Sequence, residues 1–240
     1  MSDTRSNLHS KVYNNFKEID QHAHQSIVEF YHRNEKDIQR LKFDEYFELQ
    51  ISYIDALFEI AAYDNLLSVC DSTIEAVIMN NIQSYRGEDI YRKLLLKKAA
   101  AHYNLLEYYK AEYILKELIR IDPDDTYGIR FLKRCQTFRV PYYVRYTRNV
   151  SLLFFFFTAM VICFEMIWFG FGNFAITQKS IVEIIRNTIF LSGWFVLLLG
   201  DGIFRASIYK NTKQFVKQIK RSKAKSTKKL IEVPEKNKCR

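Results

Sequence analysis

Glycine and proline are scarce in this chain of 240 residues, which contains seven glycines and three prolines. Five of the glycines lie in the apolar C-terminal third, and the first 148 residues contain only Gly87 and Gly128. A segment with so few turn-forming residues is typical of packed helices. We therefore predict an all-α fold.

Paired cysteines are also missing. Cys70, Cys135, Cys163 and Cys239 are far apart and form no CxxC pair. This spacing argues against a zinc site or a disulfide framework and fits a reducing compartment. The N-terminus, MSDTRSNLHSKVYNNF, has no apolar segment of the kind found in signal peptides.

Catalytic motifs are absent as well. The chain contains no GxxxxGK[ST], GxSxG, HExxH or GxGxxG pattern. His22 and His24 are two residues apart, so on a helix they would point in different directions and bind one metal poorly. We expect no enzymatic activity, no metal site and no cofactor.

Two long apolar runs predict transmembrane helices, over residues 149–174 and 184–204. Residues 151–172 carry a single charge, Glu165. Thirteen Leu, Ile, Phe or Val residues between 150 and 172 favour insertion by about 4–8 kcal/mol, against roughly 2.5–3.5 kcal/mol for one central acid. Insertion is therefore favoured despite Glu165.

Basic residues flank the two runs and set their orientation. Before the first run stand Arg130, Lys133, Arg134, Arg139, Arg145 and Arg148; after the second stand Arg205, Lys210, Lys213, Lys217, Lys220 and Arg221. The connecting loop, residues 175–183, contributes only Lys179. By the positive-inside rule both termini are cytosolic. Without an organelle signal, we expect the bacterial inner membrane.

The net charge of +9 is concentrated in the tail. Residues 205–240 carry +11, whereas residues 1–148 and 149–204 carry −1 each. We predict a basic amphipathic helix on the inner leaflet over 205–221 and a disordered basic tail over 222–240, with anionic lipid as the partner. Nucleic acid is the less favoured partner: RNA or ribosomes are a third possibility for the tail, and the shortage of interleaved aromatic residues disfavours stacking of a single strand.

The stretch LLKKAAAHYNLLEYYKAEYILKELIRIDPDD, residues 95–125, predicts two helices with a turn near Leu106–Glu107. Pro123 ends the second helix, and Asp124 and Asp125 are available to cap a third that begins near Thr126. The stretch resembles a tetratricopeptide repeat. The matching residues are Ala99, Tyr108, Ala111, Leu115 and Pro123, and the departures are His102 and Leu118.

The resemblance implies a helical-repeat domain over residues 43–140. Its repeats would cover about 47–80 and 92–125, a capping helix would cover 126–137, and residues 1–42 would pack on them. Such repeats bind a protein or peptide partner in a groove, and the matching groove positions here are Lys93, Lys97, Tyr103 and Asn104. Glu48 and Asp55 also fall in the groove, which disfavours a carboxylate clamp.

The two predicted transmembrane segments contain three charged residues, Glu165, Arg186 and Asp201. We expect Asp201 at the membrane interface near Arg205, and Glu165 inside a close-packed hairpin opposite Ser192 and Gly193. Arg186 either reaches the outer surface or turns towards Glu165.

The leading hypothesis is a membrane-anchored scaffold that binds a protein partner at the cytosolic face. The alternative is an oligomeric membrane protein, accessory to a transporter or channel, that uses Glu165 and Arg186.

Overall fold

In the computed structural model, the backbone is described for residues 11–171 and 176–236, and the side chains for 11–167 and 181–226. Within these ranges the chain is helical apart from its turns and one short β-ribbon, which confirms the all-helical expectation. The helices are α1 (residues 11–17), α2 (His24–Ile38), α3 (Phe43–Glu59), α4 (Tyr63–Met79), α5 (Ile90–Asn104), α6 (Tyr108–Ile121), α7 (Thr126–Phe138), α8 (Tyr142–Phe171) and α9 (Ile176–Lys236). Two compact units are present, residues 1–132 and 133–240.

The core of the first unit is built by successive helices that pack as neighbours from α2 to α6. Its fully buried large side chains are Ile38, Leu49, Ile54, Leu57, Leu66, Ile90, Leu94, Leu115, Leu118, Ile119 and Leu132. Burying a side chain of this size contributes about 1.5–3 kcal/mol. Ala99 and Ala111 are also fully buried, so α5 and α6 approach each other closely at the positions where the sequence has small residues.

Three helices of this unit end in the same tight turn without glycine. Ala61, Asn81 and Leu106 have φ angles of 59°, 51° and 63° directly after α3, α4 and α5. After α5, the N–H of Glu107 donates to His102 O at 2.9 Å and that of Leu106 to Tyr103 O at 3.1 Å. These two hydrogen bonds define the Schellman motif, which usually has glycine at the left-handed position.

A β-ribbon between α4 and α5 was not anticipated from the sequence. Ser84–Tyr85 pairs antiparallel with Glu88–Asp89. The two turn residues, Arg86 and Gly87, have φ angles of 52° and 80°, as a two-residue type I′ turn requires. The ribbon places Arg86 beside α3, where its side chain contacts Glu48.

The second unit contains α8 and α9, which pack against each other as a hairpin. Both helices are long and apolar enough to cross a membrane. Most of their large apolar side chains are exposed, including Phe156, Met160, Leu191 and Phe195. A soluble protein rarely leaves so large an apolar surface open to water.

The boundaries in the second unit differ from those predicted. Residues 176–183, expected as a loop, are helical, and α9 continues without a break to Lys236 through the segment 222–236 that was expected to be disordered. Between Arg205 and Ile231 the chain has no proline or glycine and no acidic residue, so nothing in its sequence terminates the helix. Residues 1–10, 172–175 and 237–240, which belong to the predicted N-terminal segment, hairpin connection and tail, lie outside the described backbone.

Candidate functional site

A concave cavity of about 330 Å³ lies in the first unit between α1, α3, α5 and the β-ribbon. We call it the charged groove. Its charged lining residues are Lys17, Glu48, Asp55, Glu59, Arg86, Lys93 and Lys97. Gln21, His22, His24 and Ser52 complete its polar surface, and Phe16, Ile19 and Ile27 form its apolar part. The groove therefore presents both signs of charge beside a small apolar patch.

Glu48 organises one end of the groove. Its carboxylate accepts hydrogen bonds from Tyr13 Oη at 2.6 Å, from Arg86 Nη2 at 2.7 Å and from Lys17. Burial alone would raise the pKa of Glu48, but the hydrogen bonds from Lys17, Tyr13 and Arg86 hold it below its ordinary value. The carboxylate is thus ionised at neutral pH and links α1, α3 and the ribbon.

Asp55 neutralises the two predicted groove lysines. Lys93 Nζ lies 3.3 Å from Asp55 Oδ2 and 3.3 Å from a Glu88 carboxylate oxygen, while Lys97 Nζ lies 2.7 Å from Asp55 Oδ1. Burial would lower the pKa of Lys93, but Asp55 and Glu88 keep it above its ordinary value. Because Asp55 already occupies the site between the lysines, an incoming carboxylate has to displace it.

The four predicted groove residues are not all brought together. Lys93 and Lys97 are one turn apart on α5 and line the charged groove. The Tyr103 ring instead packs against Tyr108 and Phe131, with ring centres 5.5 Å away in both cases. Asn104 is exposed at the end of α5, outside the cavity lining.

A second cavity, of about 630 Å³, continues past α5 towards the start of α7. Lys93 and Lys97 line it too, so the two lysines form a ridge between both cavities. The remaining lining residues are Phe58, Gly87, Glu88, Asp89, Arg92, Leu96, Ala100 and Tyr127. Sequence reasoning missed Lys17 and Arg86, because α1 and the ribbon have no counterpart in the repeat pattern.

Asp125 caps α7 and contacts two residues that line the second cavity, Arg92 and Tyr127. Its side chain accepts from the Tyr127 N–H at 3.1 Å and forms two hydrogen bonds with Arg92 of α5, at 3.1 and 2.8 Å. Burial would raise the pKa of Asp125, but the Arg92 guanidinium and the N–H groups of Gly128 and Tyr127 hold it below its ordinary value. The sequence had assigned this capping role to Asp124 or Asp125.

Among the side chains that the structure describes, two ion pairs join α8 and α9. Arg186 Nη1 donates to Glu165 Oε2 at 2.7 Å, and Arg148 Nη2 to Asp201 Oδ1 at 3.0 Å. Asp201 therefore pairs with Arg148 of α8 rather than with Arg205. At about 1.5 Å per residue, the 15 residues from Arg186 to Asp201 separate the pairs by about 22 Å, somewhat less than the roughly 30 Å of a bilayer core.

The predicted register of the hairpin, with Ser192 and Gly193 opposite Glu165, is wrong by nearly two turns. The residue opposite Glu165 is Arg186, whereas Gly193 lies against Phe154 and Phe155, and its carbonyl accepts from Ser151 Oγ at 2.8 Å. The reason is that the helices extend to Phe171 and from Ile176, which moves the centre of the hairpin towards the N-terminus by several residues.

The described residues offer no obvious reactive centre. None of their His, Cys, Asp and Glu side chains form a group of three able to hold a metal ion. The charged groove instead brings side chains of both charge signs together as paired donors and acceptors. Comparison of the chain with protein-family models, with curated proteins and with solved structures found no match.

Proposed function

We propose that this protein is a membrane-anchored, tetratricopeptide-like scaffold that binds a protein partner at the cytosolic face of a membrane. The charged groove is the observation that carries this proposal. Helices α3 and α5 line it with Glu48, Asp55, Lys93 and Lys97, in the way that the first helices of such repeats line their groove. The helical hairpins α3–α4 and α5–α6 are consistent with two repeats.

The membrane anchor is the α8–α9 hairpin. Its exposed apolar surface and its length suit a bilayer, and the Arg148–Asp201 pair suits the inner interface beside the basic residues that follow α9's apolar segment. Glu165 and Arg186 then lie near the outer edge of the hydrocarbon, where the arginine can reach the headgroups. Both termini are cytosolic in this arrangement, and the bacterial inner membrane remains our proposed location.

The chemistry of the groove restricts the partner. Asp55 holds both lysines, and Glu48 holds Lys17 and Arg86, so a simple acidic tail gains little without displacing a carboxylate. A segment that carries both a basic and an acidic side chain can exchange partners with these pairs. We therefore propose a mixed-charge peptide segment as the ligand of the groove.

Site-specific photo-crosslinking tests this function. A benzoylphenylalanine at Ser52 lies in the groove, and one at the exposed Ser72 of α4 lies outside its lining and is the matched control. We expect a discrete protein adduct from Ser52 in native membranes and none from Ser72. Asp55→Lys should abolish this adduct. Equal labelling from both positions, or an adduct insensitive to Asp55→Lys, would contradict the proposal.

A second candidate function rests on Glu165. Its Oε1 atom is buried without a hydrogen-bond partner among the described residues, although Oε2 is paired with Arg186. An intramembrane acid with spare acceptor capacity favours an oligomeric protein, accessory to a transporter or channel. Crosslinking through the exposed native Cys163, in a variant with Cys239 replaced by serine, measures oligomer formation directly. If the protein is an oligomer, Cys163 should crosslink into dimers, and Glu165→Leu should reduce the yield of dimer. A dimer yield that Glu165→Leu leaves unchanged would exclude this second function.

A further inference from the structure

The cytosolic extension of α9 presents one continuous cationic face. Lys210, Lys213, Lys217 and Arg221 are spaced by three, four and four residues, which places them on one side of the helix, and all four are exposed. We call this set the cation stripe. Residues 205–231 contain ten Lys and Arg and no Asp or Glu, so no acid on this stretch of helix neutralises it.

The opposite face of the same helix is turned towards protein. Phe204 and Thr212 are buried, and Ile208, Phe215 and Ile219 are half-buried. Thr212 Oγ1 and Gln136 Oε1 of α7 are 3.0 Å apart, within hydrogen-bond distance. A helix that lies on a bilayer must bury its apolar face in the lipid. In α9 that face is already partly covered, which weighs against the interfacial position expected from the sequence.

The continuity of α9 also carries the outer half of the stripe, Lys217 and Arg221, away from its own membrane. With Asp201 at the hydrocarbon boundary, Arg205 lies about 6 Å further out, at headgroup level. Along the helix axis, Lys217 and Arg221 lie about 18 and 24 Å beyond Arg205. If the helix is tilted by about 40° from the membrane normal, their heights above Arg205 are still about 14 and 18 Å. Both exceed the Debye length of about 8 Å at physiological salt, so the surface potential of that membrane barely reaches them.

We propose that the cation stripe binds the phosphate backbone of double-helical RNA, without sequence specificity. This proposal rests on the proposed function in one respect, because α9 must leave the membrane on the cytosolic side to meet RNA. Double-helical nucleic acid offers a dense row of charge along its length, which matches a stripe of four cations over about 17 Å. Exposed Asn211, Gln214 and Gln218 flank the stripe with the polar amides that commonly contact phosphate and sugar oxygens.

The shortage of aromatic residues supports a duplex over a single strand. Between Arg205 and Ser226 the only aromatic residues are Tyr209 and Phe215, and Phe215 is half-buried. Single-strand binding depends on stacking of bases on exposed aromatic rings, whereas duplex RNA is bound through its shape and phosphates. Binding by the stripe should therefore be strongly salt-dependent and indifferent to sequence.

The test uses the full-length protein in phosphatidylcholine nanodiscs and a fluorescent 20-base-pair RNA duplex, followed by anisotropy. Four phosphate contacts give a salt slope of about −3.6, and hence about a hundredfold loss of affinity between 50 and 200 mM KCl. The stripe variant replaces all four cations by glutamine: Lys210→Gln, Lys213→Gln, Lys217→Gln and Arg221→Gln. It should bind more than about tenfold more weakly at 100 mM KCl, with a correspondingly shallower slope.

The control variant removes the same charge from exposed positions of the first unit: Arg33→Gln, Lys36→Gln, Arg40→Gln and Lys42→Gln. It should bind within about twofold of the wild type, since these residues lie outside the stripe. Equal losses in the two variants would show an effect of net charge alone and overturn the proposal. Unchanged binding by the stripe variant would overturn it as well.

Anionic vesicles provide the competing outcome. Capture of the nanodisc-embedded protein by separate phosphatidylglycerol-containing vesicles is measured for the same variants at matched salt. If the stripe variant loses vesicle capture and retains RNA binding, the stripe is a lipid site and the proposal is wrong. Partner crosslinking from Ser52 does not involve α9, so failure of the scaffold function is scored separately from failure of RNA binding.

Discussion

Asp125 connects two helices of the first unit and offers the sharpest test of its packing. The carboxylate is almost fully buried, with 2% of its side chain exposed, and it caps α7 while pairing with Arg92 of α5. Asp125→Ala removes the cap and the ion pair together. Asp125→Asn keeps an oxygen able to accept from the Tyr127 N–H and removes the charge that holds Arg92.

The magnitudes follow from these contacts. Loss of an N-cap costs about 1 kcal/mol, and a hydrogen bond to a charged group contributes about 1.5–3 kcal/mol. The Arg92 side chain is 41% exposed, so water can solvate its guanidinium in the variants. The contribution of the ion pair to the free energy of unfolding is therefore reduced to about 1–2 kcal/mol. We expect a loss of about 2–3 kcal/mol in the free energy of unfolding for Asp125→Ala, and about 1–2 kcal/mol for Asp125→Asn.

The native Cys70 provides the assay in the full-length protein. Its thiol is fully buried, and burial raises its pKa to about 12, so it is unreactive until the first unit opens. With the other three cysteines replaced by alanine, the rate of maleimide labelling under denaturant reports unfolding of this unit. If Asp125→Ala labels at the wild-type midpoint, the proposed connection between α5 and α7 is wrong.

The same variants have a defined pH dependence. Because the pKa of Asp125 is lowered in the folded protein, its contribution is fully present above its unfolded pKa of about 3.9 and is lost as the pH falls through the lowered value. The stability difference between the wild type and Asp125→Asn should be constant from about pH 5 to 7 and shrink below about pH 4. A difference that grows on acidification would contradict the assignment.

Two further pairs of substitutions, each a test and a control, examine the turns and the hairpin. Leu106→Gly should raise the free energy of unfolding by about 1 kcal/mol, because Leu106 is exposed and its backbone is in the left-handed region. Leu105→Gly, the control, should lower the free energy of unfolding. Cys70 labelling measures both effects. Gly200→Ala should destabilise the α8–α9 hairpin by about 1–3 kcal/mol, because its Cβ would lie only 3.0 Å from Thr147 Cβ. Gly202→Ala, whose Cβ meets nothing within 4 Å, is the control, and resistance to unfolding in SDS is the measurement. Equal behaviour of the two alanine variants would contradict the packing at Thr147.

Local signals in the sequence located most helices of the first unit. The turn near Leu106 was predictable from the helical-hairpin pattern of residues 95–125, and the cap before Thr126 from Pro123 and the adjacent aspartates, which restrict the backbone. The β-ribbon was not, since Ser84–Asp89 has no alternating apolar pattern and only Gly87 marks the turn. Because the β-ribbon brings Arg86 into the charged groove, that position of Arg86 could not be predicted either.

Long-range register was the main limit in the second unit. The apolar runs identify α8 and α9, but uniform hydrophobicity does not show where one helix faces the other. The contacts of Ser151 and Thr147 with Gly193 and Gly200 set that register, and they place Arg186 opposite Glu165. Similarly, the lysine-rich composition of the tail suggested disorder, although lysine is itself a good helix former.

Topology is the most direct test of the central proposal, a hairpin with both ends in the cytosol. In a cysteine-free background, single cysteines replace Lys36 of α2, Gln178 near the start of α9 and Gln218 of its extension. Intact cells are treated with a membrane-impermeant maleimide before and after permeabilisation. The account predicts labelling at position 178 in intact cells, and at 36 and 218 only after permeabilisation. Labelling of 36 or 218 in intact cells, or protection of 178, would contradict it.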